Sequence, residues 1–282
     1  MIHKKKDSLT VDLKAIESKR MYPVAMLSIE FRRLAFFLLL SLPLLPTLAV
    51  SQPLHAKTTG QCVVLIHGLA RTASSMDTMQ QALQDQGYSV INIDYPSREL
   101  RIEDLAATVV PKGISFCNQN GANTIHFVTH SLGGILVRYY FAHHDLDNLG
   151  RVVMLSPPNQ GSEVVDTLKD MPGFHLLNGP AGDQLGTDDS SIPRRLPSVD
   201  YEVGIITGDQ TINYILSTFI PGDDDGKVSI ESAKVAGMTD FIIVPHSHPF
   251  IMSADDVIVE TLTFLQNGYF NHSLTETSSQ KN

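Results

Sequence analysis

The chain has 282 residues, 21 of them Lys or Arg and 30 Asp or Glu, for a formal charge of −9 at neutral pH. Past residue 56 the balance is 13 basic against 26 acidic residues, or −13. Such a surface repels nucleic acid and anionic membrane faces over a Debye length, which excludes nucleic acid as a partner. Cysteines occur only at 62 and 117, too few and too far apart for a thiolate metal site, and there is no internal repeat or long low-complexity tract.

Residues 34–50, LAFFLLLSLPLLPTLAV, carry no charge; Arg32 and Arg33 stand before them, and Ala49, Ser51 and Ala56 come after. Basic flank, apolar core and small-residue exit form the layout of a secretory signal. The run is 17 residues long and contains Pro43 and Pro46, short of the ~20 residues of a membrane span. Residues 1–56 are therefore read as an export signal, with an uncleaved membrane anchor as the alternative. Either way the Lys/Arg excess on the N-terminal side sends the rest of the chain outward, to the periplasm or the medium. The unit from Met26 is complete by itself, so Met21 or Met26 is expected as the true start. In an oxidising compartment Cys62 and Cys117 are expected to form a disulfide; two buried thiols are the alternative.

From residue 61 the chain alternates. CVVLI (62–66) reads as a buried strand, 74–86 as a helix stopped by Gly87, and YSVINIDY (88–95) as a second strand closed by Pro96. Residues 101–110 read as helix, 123–130 as strand, 133–144 as helix, 151–158 as strand, 201–208 and 240–246 as strands, and 255–266 as a closing helix. Apolar strands alternating with helices mean a parallel sheet covered on both faces. Residues 162–200, rich in Gly, Pro, Asp and Ser around one short helical piece at 162–170, break the rhythm and are expected to form a lid over the sheet. The domain is thus 57–270, and 271–282 a flexible tail.

Ser131 falls between the third strand and its helix, with Gly133 two residues on. This is the pattern of a nucleophile elbow, a turn tight enough to strain the serine backbone and to exclude a side chain at Gly133. The usual glycine two residues before the serine is Thr129 here. The elbow THSLGG (129–134), the early VLIHGLARTASSM (64–76) and DGKVS (225–229) with a later histidine resemble the α/β-hydrolase family in its lipase and esterase branch, over residues 61–266. The resemblance implies a mainly parallel central sheet with helices on both faces and a small lid. It also implies a triad in the order Ser, Asp, His.

By that resemblance Ser131 is the nucleophile, and His248 is preferred as base over His246 because HSHPFI (246–251) is similar to the family's pattern. Asp225, followed by Gly226 and Val228, is preferred as acid; Asp209, directly after a strand, is the runner-up. A calcium site or a solvated turn is the alternative for Asp223, Asp224 and Asp225, but no EF-hand spacing supports calcium. The oxyanion donors are expected to be the backbone N–H groups of Leu69 and Leu132. His67 is expected to hold its loop, and His130 to be a packed elbow residue facing away. The reading is a carboxylic ester hydrolase acting on lipid or acyl esters, with thioesterase, acyltransferase or phospholipase on the same triad as alternatives. An inactive binding protein or membrane-anchored scaffold of the same fold is the further alternative. The partners are then a small-molecule ester or lipid, with membrane association through the N-terminus. No cofactor or metal is expected, and no G-x-G-x-x-G follows the first strand to bind a nicotinamide.

Overall fold

The computed structural model describes residues 60–272. The export signal or anchor, the alternative starts and the tail beyond 272 lie outside the described residues. In chain order the elements are β1 (Gln61–Ile66), α1 (Asp77–Asp85), β2 (Ser89–Ile93), α2 (Ile102–Gln119), β3 (Thr124–His130), α3 (Leu132–Phe141) and β4 (Leu149–Leu155). Then come α4 (Glu163–Leu168), α5 (Phe174–Asp183), α6 (Ile192–Arg195), β5 (Val203–Gly208), α7 (Tyr214–Ser217), α8 (Ile230–Ala233), β6 (Asp240–Val244) and α9 (Asp255–Asn267).

All strand pairs are parallel, in the order β2-β1-β3-β4-β5-β6. The strands are apolar at successive positions because both faces are covered: Val64 and Ile66 pack on one side with α2 and α3, Val63 and Leu65 on the other with α1 and α9. β2 lies on one side of β1 and β3 on the other, so strand order reverses there. A crevice opens at such a point beyond the carboxyl ends of the strands. The pairings Ile66↔Thr129 and His130↔Leu155 bring the ends of β1, β3 and β4 level there.

Three expectations need correction. The helix expected over 101–110 runs on to Gln119 through Pro111. A proline inside a helix costs about 3 kcal/mol, but the continuation buries Gly113 and Cys117, and Cys117 is joined to Cys62 of β1 by a disulfide. A Cβ at Gly113 would lie 2.4 Å from Val64 Cγ1, so glycine is what lets the helix approach the sheet. Second, the lid holds three helices, α4, α5 and α6, rather than one short piece. α5 is kinked at Gly179 (φ 65°, ψ −175°), where a Cβ would meet the Arg98 carbonyl oxygen at 1.8 Å. Third, TINYILSTF (211–219), which reads in the sequence as a helix-like insertion between the strand ending at 208 and Asp225, forms only a single helical turn, α7.

Candidate active site

At the end of β3 the backbone turns so sharply that Ser131 takes φ 51°, ψ −119°, a region that residues with a Cβ rarely occupy. Ser131 N–H donates to the Leu155 carbonyl (2.9 Å), tying the turn to β4. A Cβ on Gly133 would lie 2.4 Å from the Ile66 carbonyl oxygen and 3.0 Å from that of His67, so the obstacle is the end of β1 rather than the elbow itself. Thr129 is fully buried and donates to the Val153 carbonyl at 3.4 Å. A Cβ at Gly134 would come within 3.3 Å of its Oγ1. The second glycine of THSLGG thus makes room for a threonine where the family has glycine.

His248 Nε2 lies 3.0 Å from Ser131 Oγ, and its Nδ1 lies 2.8 Å from Asp225 Oδ2. All three residues are buried. Asp225 can only accept, so the proton sits on Nδ1, and Nε2 offers its lone pair to the serine hydroxyl. Asp225 is held from every side. Its Oδ1 accepts the backbone N–H groups of Lys227 (3.0 Å) and Val228 (2.9 Å), and its carbonyl accepts the His248 N–H (2.8 Å). Asp209, the runner-up, is partly exposed at the end of β5, and its carboxylate accepts from Gln210 Nε2. His246 pairs instead with Asp256 at 2.6 Å. Asp224 accepts from Gly226 N–H and Ser217, while Asp223 is exposed. Among the described residues no group of three His, Cys, Asp or Glu side chains stands close enough to hold a metal ion.

The loop after β1 is equally fixed. His67 Nδ1–H donates to the Gly68 carbonyl (2.9 Å), its ring stacks on Tyr95 at 4.1 Å, and Tyr95 Oη–H donates to the His67 carbonyl (2.7 Å). Burial keeps His67 neutral by lowering its pKa and pushes the Tyr95 phenol up. Ala70 takes φ 56° and donates its N–H to Ser97 Oγ (3.0 Å). Between them is Leu69, and Leu132 opens α3 at its positive end. Among the described residues neither of these two N–H groups has a protein acceptor.

His130 does not face away. It is buried, with its ring 4.8 Å from that of His248, and its Nε2–H donates to the His248 backbone carbonyl (3.0 Å). Its Nδ1 has no partner among the described residues. Burial first, then the charges of His248 and Arg71, hold its pKa well below the usual imidazole range, so it stays a neutral prop under the base. The only sequence signal for this was its place in the elbow, beside the serine.

A cavity of about 380 Å³ opens over Ser131 and His248. Val164, Val165, Leu168, Met171, Phe174 and Leu177 of the lid give it an apolar wall. The apolar lid residues Met171, Phe174, Leu176 and Leu177 read in the sequence either as an acyl pocket or as a cap on the core; Met171, Phe174 and Leu177 line the cavity, and Leu176 does not and is 83% exposed.

A parallel sheet with the serine turn after β3 and a lid before β5 is the α/β-hydrolase fold, and what this chain resembles lies on its lipase and esterase branch. The model of the palmitoyl protein thioesterase family matches residues 62–189. Among solved structures, the mature form of the Bacillus licheniformis lipase BlEst2 is similar at 20% identity and a TM-score of 0.59, over 73% of this chain and 91% of that one. Phospholipase PlaB from Legionella pneumophila follows at 18% and 0.58, over 74% and 60%, and the metagenomic carboxyl esterase MGS0156 at 19% and 0.55, over 68% and 65%. The chain spans about half the lipase in its propeptide form, where coverage is 50%, and three fifths of the phospholipase. No curated protein matches the chain. By fold and by family model the chain is lipase-, esterase- and thioesterase-like.

Proposed function

We propose that this protein is a serine hydrolase that cleaves carboxylic esters of lipid or acyl type through an acyl-enzyme on Ser131. The observation that carries the reading is the continuous relay from Ser131 through His248 to Asp225 at the floor of an apolar cavity. Ser131 Oγ attacks the acyl carbonyl as His248 Nε2 takes its proton, and Asp225 steadies the imidazolium. The developing oxyanion is met by the N–H groups of Leu69 and Leu132, already fixed in place. Protonated His248 then passes the proton to the leaving alcohol, and water repeats the sequence on the acyl-enzyme. The match to the thioesterase family favours a second substrate on the same groups, a fatty-acyl thioester, in which a thiol leaves instead. The disulfide supports export of the domain, since such bridges persist in oxidising compartments.

The test is labelling with a fluorophosphonate ester, the modified peptide being read by mass spectrometry. Label is expected on Ser131 and lost in His248→Ala. Ser131→Ala is expected to abolish labelling while leaving the melting temperature close to wild type. A wild-type protein that stays unlabelled even with detergent present would refute the reading.

A further inference from the structure

Two cations at the cavity have no part in the relay. Arg71, in the turn after Ala70, and Lys227, two residues past Asp225, line it together with Ser131 and His248. Among the described residues neither has an ion-pair partner. Asp225 is spent on His248 and on backbone N–H groups. Arg71 uses one N–H, from Nη2 to the Pro249 carbonyl at 3.2 Å, and the rest of its fork has no protein acceptor among the described residues. The two charges are close enough to feel each other, and each also depresses the pKa of His130 below. In a chain with 30 acidic residues, two cations without an ion-pair partner among the described residues line one cavity beside the serine. Lys227 is exposed and Arg71 partly so, so water screens the two like charges, and a substrate oxyanion between them would replace that screening with direct pairing.

We infer that Arg71 and Lys227 bind an oxyanion carried by the substrate, on the alcohol side of the scissile ester. The acyl side is assigned by the apolar wall of the lid, where a charge would be desolvated without compensation. Arg71 also lines an adjoining polar hollow of about 580 Å³ with Ser97, Arg98, Asp94 and Glu99, a space of mixed charge that gives the uncharged part of the alcohol room to extend beyond the two cations. A guanidinium fork matches phosphate or carboxylate oxygens two at a time, and an ammonium adds a point charge. The preferred substrate is thus an acyl ester of an anionic alcohol. This deepens the hydrolase reading and rests on Ser131 being the nucleophile.

The experiment compares kcat/KM of the full chain on the butanoyl esters of glycerol, glycerol 3-phosphate and glycerate. An R71Q/K227Q double variant is run beside it, and fluorophosphonate labelling of Ser131 is followed in both proteins. The phosphate ester is expected to exceed the glycerol ester by about tenfold or more, mainly through KM. That ratio is expected to fall to near one in the double variant and to shrink in ~1 M salt. A matching gain for the glycerate ester assigns the pair to oxyanions in general, and a gain for glycerate alone assigns it to carboxylates. Equal rates on all three esters, or a charge preference that survives the double variant, would overturn the inference while labelled Ser131 keeps the hydrolase reading. Equal losses on all three in the double variant would also overturn it, by placing the cations at the transition state. An unlabelled wild type would bring down the underlying reading instead.

Discussion

Ser131, Leu132 and His248 rest on strand ends and turns that are buried, whereas the lid above them leaves Met171, Leu176 and Leu177 at 56%, 83% and 64% exposure. The floor is over-determined. Ser131 is held by β4, by the space at Gly133 and by the base, and the base is held by Asp225 and by His130 beneath it. Strained backbone persists only where its surroundings fix it in this way. The lid has a kinked helix and apolar side chains turned to solvent or to the cavity. On the proposed mechanism, one region fixes the atoms that would react, and the other shapes the space through which a substrate would reach them. Changes to the floor should therefore cost turnover or stability, and changes to the roof should alter selectivity.

The largest effect expected is at the acid. Asp225→Asn removes the charge that holds the His248 tautomer and should lower kcat by about 10⁴, as the same change does in a serine protease. Asp209→Asn should leave kcat on p-nitrophenyl butanoate near wild type, because that carboxylate contacts Gln210 rather than His248. The reverse outcome would relocate the acid.

The next effect is on stability. The disulfide joins β1 to the end of α2 across 55 residues, and closing a loop of that length is worth about 4 kcal/mol by chain entropy. Urea unfolding of the C62A/C117A variant should show a loss of that order. Ser131 should still take the label under native conditions, since neither cysteine lines the cavity.

The sequence made the floor legible because its signals are local. Six apolar strands, a serine at a strand–helix corner and glycine at 133 are each dictated within a few residues, and all six strands were expected within two or three residues of their ends. Asp225 was harder to read, because the chain leaves β5 at Gly208 and returns only after the single turn of α7, so its position follows from tertiary packing. A Cβ at Gly208 would lie 3.1 Å from Asp225 Cβ, a close approach that no local pattern announces. His130 was misjudged because alternation along a strand fails at its last residue, where the elbow has already begun to turn. The lid was under-read for a similar reason. Gly179 and Pro180 do interrupt the helix, but helical turns stand on both sides of the break, and the close approach of the Arg98 carbonyl that requires glycine at 179 is not announced by any local pattern.

On the roof, Phe174→Ala should act on selectivity. Phe174 is buried against the lid core and lines the cavity, so truncation lengthens the apolar slot. The ratio of kcat/KM for long over short p-nitrophenyl esters should rise about tenfold, the scale of one or two methylenes in an apolar pocket. A uniform fall across chain lengths would mean that the lid positions the relay rather than the acyl chain.

The smallest effect expected again separates floor from roof, through pH. Three histidines, His67, His126 and His130, are buried on β1 and β3 or just beyond, while His175 of the lid is exposed. His126 accepts the Arg151 N–H at Nδ1 (2.8 Å), so its proton is on Nε2, directed at Gln61 Oε1 (3.1 Å). Burial, then the charge of Arg151, lowers its pKa to about 4. An unfolded chain protonates this ring below about 6.5. Between those two values the unfolded state binds the extra proton, so folding stability is full above 6.5 and declines as pH falls towards 4. From pH 7.5 to 5.5 the loss from this one group is roughly 1 kcal/mol, or about 2–4 °C in melting temperature for a domain of this size. His126→Asn keeps an acceptor for Arg151 and removes the titration, so its melting temperature should fall less over the same range. A variant that loses as much as wild type would shift the acid sensitivity to His67 and His130, nearer the reacting serine, and activity and stability would then decline together.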